Sequence, residues 1–287
     1  MMMFQKKERT FSLFALIISI FFSVSLRNFA EIKKRVVSVS PAVTETIYYF
    51  GYGDTLLART DYCQYPEEVK EIQSIGNMFN PNLEKIVYQK PDYVIFQSHF
   101  DGRTVRQMEK MGIKVLGMES PKNIREIFQR FEKILNIYPE DEKKIQGEKR
   151  LKELKEKIEK IIVKGKSQKK SPKIFFYLGS GHLEYTAGKD TFIDDIIEKS
   201  GGSNIVKEKG WTYPLEALLI DNPDYIIASR RKWEEIKNSS RYKNLTAVKE
   251  EKVILLEEEI INLPTPRALI MGLESVQKAV LEFNQTQ

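Results

Sequence analysis

A repeat inside the chain constrains the fold more than any other feature. Leu83-Glu84-Lys85-Ile86-Val87-Tyr88-Gln89-Lys90-Pro91-Asp92-Tyr93-Val94-Ile95 aligns with Leu215-Glu216-Ala217-Leu218-Leu219-Ile220-Asp221-Asn222-Pro223-Asp224-Tyr225-Ile226-Ile227, 132 residues later, with six of thirteen positions identical. Each copy reads as a helix, a proline that stops it, and a buried strand opening on an aspartate. A common helix-to-strand joint would explain Pro-Asp-Tyr and the β-branched residues after it. It would not explain Leu-Glu eight residues earlier in both halves. Two lobes of the same kind are expected.

The surrounding pattern agrees. In the first half, β-rich runs at 35–40, 55–59, 92–97 and 113–117 alternate with helical runs at 43–50, 83–89, 104–111 and 123–135. In the second half, strands are expected at 173–178, 224–228 and 252–256, and helices at 191–199, 215–220 and 266–283. Such alternation favours a mostly parallel sheet with helices on both faces. Between the halves, residues 140–163 contain no proline and a single glycine, Gly147, with acids and bases interleaved at helical spacing. Leu151, Leu154, Ile158, Ile161 and Ile162 keep a narrow apolar stripe on this stretch, which predicts one long helix bridging the lobes. Too few clean heptads are present for a coiled-coil dimer, so a monomer is expected. The fold class is α/β, with two Rossmann-like lobes joined by a single long α-helix. The boundaries are 31–138 for the first lobe, 139–166 for the interlobe helix and 167–287 for the second lobe.

Residues 1–30 are of another kind. Lys6, Lys7 and Arg9 precede a run, 11–26, that is apolar apart from serines, and polarity returns at Arg27 and Asn28. This is the layout of a secretory signal peptide, cleaved after Ser25 or Ala30, since a membrane span wants ~20 apolar residues. No cysteine lies near the end of the apolar run, so a lipoprotein anchor is not expected, and the body is expected to be periplasmic. The one cysteine, Cys63, leaves the core without an internal disulfide.

The formal net charge of +6 falls to +3 without the leader, and much of the remaining base lies at 164–173 beside a glutamate-rich helix. That argues for a solvated surface and against nucleic acid. His99 and His182 are the only histidines, too few for a metal nest. Gly179-Ser180-Gly181-His182 brings a serine near a histidine, but it lacks a third member and a strand-turn-helix context, so no catalytic residue and no cofactor are expected.

Glu84 and Glu216 open matching helices, where a carboxylate gains from the helix dipole. One per lobe, they suit docking onto arginines of a twofold-symmetric partner. Five motifs then place nearly the whole body: Val39-Ser40-Pro41-Ala42-Val43-Thr44-Glu45, Thr60-Asp61-Tyr62-Cys63-Gln64-Tyr65-Pro66, Asn80-Pro81-Asn82-Leu83-Glu84, Thr186-Ala187-Gly188-Lys189-Asp190-Thr191-Phe192 and Leu263-Pro264-Thr265-Pro266-Arg267. With them, residues 35–283 resemble the substrate-binding proteins of ABC importers for vitamin B12 and ferric siderophores, of the class III type with a helical backbone. The resemblance implies a transport protein without enzymatic activity. Its partners would be a permease dimer with its ATPase subunits, engaged through Glu84 and Glu216.

Tyr62 with Tyr65-Pro66 resembles the vitamin B12 branch, whose matching tyrosine touches the corrin. Cobalamin is therefore the expected ligand, with a ferric siderophore or haem as the alternative. Aromatic faces suit a flat macrocycle. The resemblance implies a second-lobe wall at Trp211 and Tyr213. A ligand loop is implied at Glu259, Ile260, Ile261, Asn262 and Leu263. The B12 relatives carry tryptophan where this chain has Met78 and near Gln97, which leaves Phe79, Phe96 or Phe100 to substitute.

Overall fold

The structure is a computed structural model that describes residues 33–97 and 102–286. The expected signal peptide, His99 and Phe100 lie outside the described residues. No helix among the described residues is long and apolar enough to cross a membrane.

The first lobe holds β1 (Val36–Ser38), α1 (Pro41–Tyr49), β2 (Leu56–Arg59), β3 (Gln73–Ser74), α2 (Leu83–Tyr88), β4 (Tyr93–Gln97), α3 (Gly102–Lys110), β5 (Lys114–Met118) and α4 (Ile124–Leu135). The long helix α5 (Glu142–Lys166) follows. The second lobe holds β6 (Lys173–Phe176), β7 (Gly179–Ser180), β8 (Glu184–Tyr185), α6 (Phe192–Lys199), β9 (Ser203–Asn204), β10 (Thr212–Tyr213), α7 (Leu215–Asp221), β11 (Tyr225–Ala228), α8 (Arg230–Lys237), α9 (Thr246–Lys249), β12 (Val253–Leu255), α10 (Glu258–Ile261) and α11 (Pro266–Gln285).

One sheet runs β3-β2-β1-β4-β5 and the other β12-β11-β6-β9, and every pairing in both is parallel. A small antiparallel sheet, β10-β8-β7, decorates the second lobe. In the first sheet the order reverses between β1 and β4. Open α/β sheets bind ligands at such switch points, outside the carboxyl ends of the strands.

The repeat has a physical meaning that both copies share. Asp92 accepts a hydrogen bond from the Arg35 backbone N–H (2.9 Å), and Asp224 accepts one from the Lys173 N–H (2.7 Å). Each aspartate thus ties the head of its strand to the strand beside it, β4 to β1 and β11 to β6. The Arg35 guanidinium donates to the Gln89 and Lys90 carbonyls, and the Lys173 ammonium to the Asp221 carbonyl (3.0 Å). A basic side chain therefore closes the carbonyl end of α2 and α7 alike, where a cation suits the dipole. Lys90 and Asn222, both just before the proline, take the left-handed backbone (φ 47° and 45°) that turns the chain out of the helix.

Each lobe has an apolar cluster of its own, but the largest core spans both. The α5 stripe is buried, and its five residues belong to one apolar cluster that also contains Val36, Ile47 and Phe131 from the first lobe and Ile174, Ile193 and Leu269 from the second. The helix packs on α4, α6 and α11, so it is less exposed than a free bridge would be. Polar links join the same elements. Gln277 of α11 donates to the Ile161 carbonyl, the Ile124 N–H donates to Asp195 (2.8 Å), and Lys157 pairs with Glu274 (2.9 Å).

Glycines let the long helix come close at both ends. A Cβ on Gly147 would meet Leu135 at 3.0 Å and Tyr52 at 3.3 Å, whereas one on Gly165 would lie 2.6 Å from the Ser200 carbonyl carbon. Alanine at Gly165 would gain about 1 kcal/mol of helix propensity. It would also force the Ser200 backbone away, and overpacking costs about 1–3 kcal/mol. Gly165→Ala is therefore expected to lower stability, measured as a reduced urea midpoint, while a solvent-facing Lys152→Ala leaves the midpoint within experimental error.

Candidate ligand-binding cleft

The β1–α1 turn is shaped by buried hydroxyls: Thr44 donates to Ser38 (2.8 Å), and Ser38 donates to the Ser40 carbonyl (3.0 Å). The following loop is fixed by Arg59, which is 9% exposed and fans its guanidinium onto the carbonyls of Val69 (2.8 Å), Thr60 (3.0 Å) and Lys70 (3.1 Å). Ser74 adds a bond to Asp61, and the Asp61 N–H donates to the Gly76 carbonyl. Cys63 is buried beneath this loop. The chain therefore has to turn Tyr62 and Tyr65 outward, each about half exposed. Tyr62 meets Phe79 edge-on, with ring centroids 6.2 Å apart.

From the second lobe, α10 and the first turn of α11 face this wall. Glu45 of α1 and Arg267 of α11 form a two-pronged pair, Nε to Oε1 at 3.2 Å and the second prong at 2.7 Å. The Glu45 side chain is 4% exposed and that of Arg267 22%, and the guanidinium stacks 3.8 Å from the centroid of the Tyr65 ring. Planar stacking and a forked hydrogen bond are what arginine supplies and lysine does not. This cluster joins the lobes directly.

A cavity of about 400 Å³ lies against it, lined by Ser40, Pro41, Glu45, Tyr62, Gln64, Tyr65, Met78, Gln97, Glu258, Asn262, Leu263 and Arg267. Ser40 and Gln97 come from the ends of β1 and β4, which is the topological switch point. A second cavity of about 470 Å³ shares Glu45, Tyr65 and Arg267 and adds Tyr48, Tyr49 and Met271. The clustered pair and its tyrosine form the partition between the two.

Of the residues expected from sequence, Tyr62, Met78, Gln97, Asn262 and Leu263 meet in the first cavity. Phe79 stands beside it, exposed and in contact with Tyr62. Tyr213 does not line the cleft. It is 7% exposed in the second-lobe core, and its hydroxyl donates to Asp221. Burial and then the hydrogen bond to Asp221 push its pKa upward. Strand alternation explains this, since β10 exposes Thr212 and buries Tyr213. Trp211 is half exposed and lines none of the described cavities.

The expected loop at 259–263 begins as a helical turn. At helical spacing, Glu258 and Asn262 share the cleft face while Ile261 points into the core at 1% exposure, and Ile260 packs partly buried on that core. Ile261 and Ile260 are therefore packing residues. The side chain of Glu259 lies outside the described residues. Glu258 accepts from Ser229 (3.2 Å) and Arg231 (3.1 Å), which draws Arg231 toward the cleft rim.

Sequence reasoning did not assign Glu45, Tyr65 or Arg267 to the cleft. All three lie in motifs it quoted, but an ion pair between residues 222 apart has no local spacing signal. Glu84 and Glu216 are exposed in the first turns of α2 and α7. Ser180 and His182 sit at the exposed β7–β8 turn.

A family model described as periplasmic binding protein matches residues 36–260. The chain belongs to the periplasmic binding protein family. A member of this family captures a solute without transforming it, so the protein is a binding component and not an enzyme. An uncharacterized ABC transporter substrate-binding lipoprotein of Bacillus subtilis is 29% identical over 254 residues, covering 86% of this chain and 80% of the relative. A vitamin B12-binding protein of Vibrio parahaemolyticus is 27% identical, covering 88% and 92%. Among solved structures, a possible iron-binding (periplasmic solute-binding) protein of Staphylococcus epidermidis superposes with a TM-score of 0.72 at 26% identity, covering 86% of this chain and 98% of that one. The vitamin B12-binding protein of Vibrio cholerae shares the fold, with a TM-score of 0.71 at 23% identity, covering 88% and 98%. These are class III periplasmic binding proteins, and the architecture described above is theirs.

Removing one member of a buried pair strands the other charge. Arg267→Ala is expected to destabilise the protein by about 3 kcal/mol. The double replacement Glu45→Leu with Arg267→Met should recover most of that loss. Urea denaturation of the three variants reads both effects.

Proposed function

We propose that this chain is the extracytoplasmic solute-capturing subunit of an ABC importer, and that its ligand is cobalamin or a related corrinoid. The observation that carries the reading is the first-lobe wall of Tyr62, Phe79, Tyr65 and Met78, held outward by a loop that the Arg59 fork makes rigid. A flat macrocycle with few formal charges is best gripped by such faces. The similarity to vitamin B12-binding proteins across most of the chain supports the same ligand.

The mechanism needs no chemistry. The ligand enters between the lobes, displaces water from the tyrosine faces and is held by a cleft that already exists, because a shared core fixes the lobes. Little ordering free energy is then lost on binding. Delivery follows by docking on the permease dimer through Glu84 and Glu216. Two further side chains fit that role. Tyr88 and Ile220 occupy matching places in the repeat, each four residues after its glutamate, and each is 81% exposed. Glutamate and apolar residue thus share one helix face in each lobe, a matched pair of feet for a twofold receptor.

A second reading, haem or a ferric siderophore, draws on Arg267, whose partly exposed guanidinium would meet an anionic group, and on the adjacent Tyr65 phenol. One experiment separates the readings: incubate the purified protein separately with cyanocobalamin, haem and a ferric hydroxamate, pass each through a desalting column, and record the visible spectrum. Cobalamin absorbance co-eluting in a one-to-one ratio is expected. Retention of haem or the ferric chelate alone would transfer the assignment to the second reading.

Tyr62→Ala is expected to weaken cobalamin binding by about 1–3 kcal/mol, as for a desolvated aromatic anchor. An unchanged calorimetric titration would remove Tyr62 from the site. Glu84→Ala combined with Glu216→Ala should leave that titration unchanged while abolishing uptake by cells that depend on the importer.

A further inference from the structure

A third cavity, about 400 Å³, opens at the carboxyl end of β5 and differs in kind from the other two. Its walls include Glu119, Lys122, Arg125, Glu126, Arg130 and Lys133. Four cations face two carboxylates there. One of those carboxylates, Glu126, is already committed to the Lys122 N–H (2.7 Å) and the Asn123 amide (3.1 Å). Among the described residues, Lys122, Arg125, Arg130 and Lys133 have no carboxylate within ion-pair distance. Asp190 is paired with Lys209 (2.6 Å), whose hydrogen bond holds its pKa below the usual carboxylate value, and the Lys122 charge adds to that lowering only from farther away.

Arg130 makes the site more than a surface patch. It is 8% exposed, yet its guanidinium meets only neutral acceptors, the Glu119 carbonyl (2.5 Å) and Gln97 Oε1 (3.5 Å). A guanidinium offers five N–H donors, so most of its capacity is unused. Burial without a counter-ion lowers its pKa to about 10, and it stays charged at neutral pH. A buried, unneutralised cation is costly unless an anion joins it. Lys133 likewise donates only to a carbonyl, that of Gly117 (3.0 Å).

Gln97 connects this pocket to the ligand cleft. The same Oε1 that receives Arg130 also accepts from Ser40 (3.3 Å), and both Ser40 and Gln97 line the first cavity. A single side chain separates the aromatic wall from the cationic pocket.

We propose that the Arg130 pocket is an oxyanion subsite of the cleft, which takes a phosphate-type group through Arg125, Arg130 and Lys133. Its cobalamin form rests on the reading above: the ring lies on the Tyr62 wall, and the phosphodiester of the nucleotide loop reaches across Gln97 into the pocket. The alternative source of the same chemistry is free inorganic phosphate.

The test uses exposed residues, so that folding is preserved. Wild type and the double variant Arg125→Ala with Lys133→Ala, checked for equal melting temperature, are titrated calorimetrically with cobalamin, with cobinamide, which lacks the nucleotide loop and its phosphate, and with inorganic phosphate. The proposal expects cobalamin affinity to fall roughly tenfold to a hundredfold in the variant, with cobinamide affinity unchanged, as for lost charge-assisted bonds. If cobalamin is unaffected but wild type binds inorganic phosphate and the variant does not, the oxyanion subsite stands with free phosphate as its occupant. Equal losses for cobalamin and cobinamide, or no effect in any titration, overturn it. Wild type binding neither corrinoid would defeat the cobalamin reading alone, since the phosphate titration still decides the subsite.

Discussion

Leu151, Leu154, Ile158, Ile161 and Ile162 have to leave water, and the surfaces that take them up belong to α4 on one side and α6 and α11 on the other. Burying that one stripe therefore fuses two α/β lobes into a single body. Each lobe alone would expose the residues that the other covers, and apolar area removed from water is the dominant favourable term in folding. The glycine contact at Gly165 and the buried Gln277–Ile161 bond tighten the same seam.

A cleft between lobes held this way is a fixed shape, and its chemistry follows from what closes it. Glu45 and Arg267 meet in a largely dehydrated place, where attraction between charges is stronger than in water but separation is costlier still. The pair contributes more to register than to net stability, holding α1 against α11 so that Tyr65 can stack on the guanidinium. On one side of this partition the cleft offers aromatic and thioether surface. Beyond Gln97 it offers buried positive charge. A ligand with a flat apolar body and an anionic arm would use both.

The sequence carried the lobe architecture because the signals are local. The repeat gave the helix, the proline and the aspartate-led strand in both halves, and each has a counterpart in the structure, down to Asp92 and Asp224 holding equivalent N–H groups. The long helix was legible from its charge pattern and stripe, and it spans Glu142–Lys166 with Gly165 packed on Ser200. What was not legible is whatever depends on the facing of short elements. Tyr213 and Ile261 sit next to true cleft residues in sequence, but a two-residue strand and a four-residue helix turn them inward. The Glu45–Arg267 contact was hidden for a different reason, since a single chain's sequence gives no cue to pair an acid with a base at the far end. Arg130 shows the same limit: its position on α4 reads as an amphipathic helix, and only the packing shows that it is buried without an acid.

The central claim is that the two lobes are one rigid body whose ligand cleft exists before the ligand arrives. Spin labels at Lys110→Cys in the first lobe and Lys243→Cys in the second, with the label-to-label distance distribution measured by pulsed dipolar spectroscopy without and with saturating cobalamin, test it directly. The account predicts one narrow distribution whose mean moves by less than about 3 Å, as for pre-organised binding partners. A broad distribution in the free protein, or a shift well beyond that on binding, would show lobes that hinge independently and would contradict it.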